Sequence, residues 1–110
     1  MLTCRLLELN CYISDEDADE VFLKQNKKRI WPVNKKYIEM KDAELKIGVD
    51  LQAEKDTMIE IELWDYDTWS PNDKLGTFKM LVDQRGGPFT SDLIGEKGIG
   101  AKYSLKWEVV

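Results

Sequence analysis

Apolar residues recur at every second position along most of this chain, and that period constrains the fold more than any other feature. Leu45, Ile47, Val49 and Leu51 alternate with polar or small residues, and Ile59, Ile61 and Leu63 alternate with Glu60 and Glu62. Phe78, Met80 and Val82 repeat the pattern, as do Ala101, Tyr103, Leu105, Trp107 and Val109. Alternation of this kind marks strands with one buried and one wet face, as in antiparallel sandwiches. Positions 6–13 read as a first strand, 21–30 as a second ended by Trp31-Pro32, and 37–40 as a short one. Turn chemistry separates the rest at 53–56, 70–73, 86–88 and 95–100. No stretch carries a convincing 3.6-residue period, and a single helical turn at 90–93 is the only helix expected. The fold class is therefore all-β: an antiparallel sandwich of seven or eight strands in a single domain over 1–110.

Composition narrows the functional classes. A net charge of −5 makes a general nucleic-acid binder a poor fit. With no histidine and two cysteines, a zinc site lacks ligands. Cys4 and Cys11 sit at an odd spacing on one strand, which points them to opposite faces and argues against a disulfide. No apolar run approaches membrane-spanning length, and the first residues carry no secretory-signal pattern. An enzyme is not expected. Without histidine a nucleophile–base pair would need lysine or a carboxylate, although metal-assisted hydrolysis on aspartates alone is conceivable.

The charge is unevenly placed. Extending the parity of Ile59, Ile61 and Leu63 brings Asp65 and Asp67 to the core-facing row, where unpaired carboxylates are costly. Either the strand ends at Asp65 or a cation waits there. Asp73 follows across a loop containing Pro71 and Asn72, and a second acidic knot, Asp15, Asp17 and Asp19, lies between the first two strands. Carboxylates gathered in that number suit Ca²⁺, which takes ~6–8 oxygens in forgiving geometry. Alternatively, the aspartates simply occupy turns. An EF-hand loop is excluded: its sixth and twelfth positions would be Glu20 and Asn26 counted from Asp15, or Ser70 and Gly76 counted from Asp65.

The segment 63–76, Leu-Trp-Asp-Tyr-Asp-Thr-Trp-Ser-Pro-Asn-Asp-Lys-Leu-Gly, resembles the third calcium loop of C2 domains. That family has a hydrophobic strand, Asp-x-Asp, a short polar loop, then Asp, two residues and Gly. Residues 18–24 are similar to the family's Ser-Asp-Pro-Tyr-Val-Lys segment, with Glu20 in place of proline, and the strands at 45–51 and 103–107 find counterparts too. The resemblance implies a Greek-key C2-like sandwich with Asp19, Asp65, Asp67 and Asp73 as Ca²⁺ ligands. The remaining family aspartate falls at Ile13, so Asp15 or Asp17 would have to substitute. It further implies docking on anionic phospholipid membranes, with Trp69 and Pro71 at the loop tip entering the lipid. Lys24, Lys27, Lys28, Arg29, Lys35 and Lys36 fall near the family's lysine-rich lateral strand and would form an anionic-lipid patch; a solvated edge strand guarded by lysine is the alternative. A C2-like module that binds a protein partner, with calcium structural or absent, is the rival expectation. The compartment stays open: peripheral membrane association in the cytoplasm is preferred, and an extracellular setting is the alternative.

Overall fold

The computed structural model describes residues 1–110 and is built from strands alone: β1 (Leu2–Ile13), β2 (Asp19–Gln25), β3 (Lys28–Trp31), β4 (Ile38–Met40), β5 (Glu44–Ala53), β6 (Thr57–Asp65), β7 (Asp73–Val82), β8 (Gly86–Asp92), β9 (Ile94–Gly95) and β10 (Lys102–Val109). They form two sheets. One runs β5-β1-β10-β8; the other runs β3-β2-β6-β7-β9, with β4 also paired to β2. Every pairing is antiparallel. The alternating residues do what their period requires. Ile59, Ile61 and Leu63 from one sheet meet Leu105, Trp107 and Val109 from the other in a single cluster of buried side chains. No helix long and apolar enough to cross a membrane is present.

Several local expectations are corrected. The span 21–30 is two strands joined by a tight hairpin, because Asn26 and Lys27 adopt φ of 52° and 68°. Two left-handed residues make the turn whose twist matches the flanking strands. With β8 and the two-residue β9, that split brings the strands to ten instead of seven or eight. Residues 90–93 hold no helical turn. Thr90 and Ser91 pair with Lys106 and Leu105 of β10, and Gly86, Gly87 and Pro88 open β8 instead of forming the turn, which lies at 83–85. Cys4 and Cys11 do not point to opposite faces. The register of β1 shifts between Leu6 and Glu8, where Leu7 is one residue extra against β10. A bulge of this kind reverses parity, so Cys4, Leu6, Leu9 and Cys11 all face the core. Both thiols are free and buried, and burial pushes the Cys4 thiol up to about 11.

Strand direction decides where the loops gather. β1 and β6 run toward one end of the sandwich, and β2 and β7 leave from it, so the connections 14–18 and 66–72 both cap that end. Loop 96–101 joins them, with the Gly100 N–H donating to Asp15 Oδ1 at 3.3 Å. Gly76 serves this arrangement by packing: a Cβ there would collide with the Ile94 carbonyl oxygen and the Leu93 side chain, so only glycine lets β9 close against β7.

Candidate functional site

At the loop end, β2 begins at Asp19 and its neighbour β6 finishes at Asp65; both carboxylates are buried. The strand does end at Asp65, which pairs across the ladder with Val21 on one side and Asp73 on the other. One backbone bond and one to a side chain stitch the two ends together: the Tyr66 N–H donates to the Glu20 carbonyl at 2.7 Å, and the Glu20 N–H donates to Asp65 Oδ1 at 2.8 Å.

Asp19 is closed off by protein donors. Its Oδ2 accepts the Asp15 N–H at 2.9 Å and the Tyr103 hydroxyl, and its Oδ1 accepts the Glu16 N–H at 3.0 Å. The carboxylate thus fixes the turn of loop 14–18 and ties it to β10. Burial, reinforced by the bond to Asp19, pushes the Tyr103 hydroxyl far above its ordinary range, so it stays a donor.

Asp65 has one protein donor and much negative company. Burial raises its carboxyl to about 7, and the nearby charges of Asp19, Glu16 and Glu20 push the same way, against the lowering effect of the Glu20 N–H. Glu16 is raised too, by desolvation first and then by Asp19, Asp15, Asp67 and Asp73. The two acidic knots therefore act on each other, as their shared end requires. A cavity of ≈ 220 Å³ opens here between Glu16, Glu20, Asp65 and Asp67, with Trp69 on its rim.

The outer loop is self-braced. Asp67 Oδ1 accepts the Trp69 N–H at 3.0 Å, Oδ2 accepts the Ser70 hydroxyl at 2.6 Å, and the Asp67 N–H donates to Asn72 Oδ1 at 2.8 Å. The Ser70 and Trp69 donors hold the Asp67 carboxyl below its usual range. Turns of this kind are a common use of Asp and Asn in loops. They leave Trp69 94% exposed at the tip, next to exposed Ser70 and Pro71. Asp17 and Asp73 are exposed at the same end.

The oxygen-only donor set suits a hard cation chemically. Its positions do not yet surround one: no three of the chain's acidic or thiol side chains converge closely enough to hold a metal ion. The basic residues lie along β2, β3 and the loop that follows. Lys24 Nζ stands 4.5 Å over the Trp64 ring and Lys36 Nζ 5.8 Å over Tyr66, while Arg29 donates to the Lys36 carbonyl at 3.2 Å. Lys27, Lys28 and Lys35 are exposed.

Sequence reasoning missed the aromatic floor under these lysines. Phe22 stacks on Trp64 and Tyr37 on Tyr66. Phe22, sitting between core-facing Val21 and Leu23, was the available signal, since a large aromatic off the core parity needs cover. Glu16, Glu20 and Tyr103 were also missed: the alternating row marks Tyr103 only as a core residue, and nothing local to it records its bond to Asp19. The chain matches no protein-family model, and no curated protein matches it.

Proposed function

We propose that this chain is a C2-like module whose acidic end takes up Ca²⁺ and docks on anionic phospholipid. The observation that carries the proposal is Asp65: a buried carboxyl raised to about 7 among like charges, at an end where two acidic loops meet. A group so placed holds a proton for want of a better counter-charge. On this reading Asp65, Asp67 and Asp73 supply the oxygens, and a carboxylate of loop 14–18 completes the set. Asp67 must then exchange its bonds to Ser70 and Trp69 for the ion, which makes loop closure part of binding. Bound calcium would neutralise the loops and offer remaining coordination positions to lipid phosphate. Trp69 adds an indole suited to the membrane interface, and the lysines over Trp64 and Tyr66 add attraction for anionic head groups.

Asp19 favours a second reading. Its carboxylate already has three protein donors, and no trio of carboxylates converges, as expected of a C2-like module that binds a protein partner without calcium. Co-sedimentation with phosphatidylserine vesicles, with calcium or with chelator, separates the two. The calcium reading expects pelleting only with calcium, abolished by Asp65→Asn with Asp67→Asn. Pelleting that ignores calcium, or none at all, rejects it.

A further inference from the structure

β5 carries the longest unpaired edge in the molecule: ten residues that bond to β1 on one side and to nothing on the other. The sandwich is open along this edge. Leu45, Val49 and Leu51 pack against the core yet remain only partly covered, as do Ile30 and Ile38 of the facing sheet. Lysine and bulges are the usual guards of an exposed edge, and β5 has both. Lys46 is exposed, and the register against β1 shifts at Ile47 and Gly48, where Gly48 takes φ 70° with nothing within 4 Å of its missing side chain.

These guards are arranged symmetrically. Counting outward from Gly48, Ile47 answers Val49, Lys46 answers Asp50, Leu45 answers Leu51, and Glu44 answers Gln52. We propose that β5 is a self-recognition edge, on which two copies of the chain pair antiparallel about a two-fold axis at Gly48. Their four-stranded sheets then become one continuous sheet. A two-fold perpendicular to the sheet keeps each face on its own side. Lys46 therefore lies directly opposite Asp50 of the second copy, twice, while aliphatic faces aliphatic beneath. Other registers that preserve the faces lack this match: centring on Lys46 or Asp50 stacks like charge on itself, and centring on Ile47 sets Glu44 against Asp50. Lys46 closes no ion pair within its own chain, although Glu8 lies opposite it on β1. Asp50 already receives Arg5 at 2.9 Å, but a carboxylate has lone pairs for a second donor. The bare backbone at Gly48 lets the two strands approach at the axis.

The test is independent of calcium and is run in chelator. Sedimentation equilibrium across rising concentration should show the wild-type chain forming dimers. Lys46→Glu or Asp50→Lys alone should weaken association about tenfold, since each turns both cross-strand attractions into repulsions. Mixing the two variants should restore wild-type association. The glutamate introduced in one copy then faces the lysine introduced in the other, and the unchanged Asp50 and Lys46 face each other at the second position. Lys46→Glu breaks no ion pair but sets a carboxylate opposite Glu8 of its own chain, so the neutral Lys46→Gln, expected to weaken association by a smaller factor, carries the test if either charge-reversed variant melts early. A wild-type chain that stays monomeric at the highest concentration, or a Lys46→Glu chain that associates as wild type does, overturns the proposal.

Discussion

Asp19 and Asp65 stand on neighbouring strands at the same end of the sandwich, both buried, yet they are handled differently. Asp19 accepts three hydrogen bonds, from two backbone N–H groups and a tyrosine hydroxyl. Asp65 accepts one and faces three acidic neighbours. Burial costs a carboxylate much less when donors replace water, so Asp19 is a fastening and Asp65 a point of unrelieved charge. The resemblance to C2 domains implies one ligand set for both. The difference between them says which of the two is available for something outside the chain.

The contrast should break most visibly at Asp19. Asp19→Ala leaves the Tyr103 hydroxyl and two loop N–H groups without their acceptor and should cost about 3–5 kcal/mol in urea unfolding. Asp65→Asn should do the opposite. The amide keeps an oxygen for the Glu20 N–H and removes the charge, giving a gain of about 1–3 kcal/mol at pH 8. The sign follows from the raised value. The folded chain holds this proton up to about 7, while the unfolded chain releases it in the ordinary carboxylate range. Stability from this group is full at low pH and is lost as pH rises through 7. The advantage of Asp65→Asn should therefore shrink on acidification and vanish below the ordinary carboxylate range, as thermal melts across pH will read. Tyr103→Phe removes one of the three donors of Asp19 and should cost about 1–2 kcal/mol. Trp69→Ala, by contrast, should change the melting midpoint hardly at all, within about 0.5 kcal/mol, because the side chain is almost fully exposed. Under the calcium reading the same change weakens vesicle binding.

What was legible in the sequence was whatever the period of two could carry. The rows through Ile59, Phe78 and Leu105 placed the core on both sheets, and their extension brought Asp65 to the end of its strand. Wherever the register slips, parity fails silently: Leu7 is extra in β1, and the side on which Cys11 lies reversed with it. The hairpin at Asn26 and Lys27 was hidden because lysine is not a residue that announces a left-handed conformation. At the site, spacing found the aspartates but not their partners. Tyr103 reaches Asp19 from a strand 84 residues away, and nothing local in either segment records that bond.

The proposed calcium site stands on the uncompensated charge at Asp65. A calorimetric Ca²⁺ titration of the wild-type chain beside the Asp65→Asn, Asp67→Asn double variant puts that proposal at risk in one experiment. Saturable binding to the wild type and none to the variant is expected. A wild-type chain that takes up no calcium at millimolar concentration, or a variant that binds equally well, refutes it.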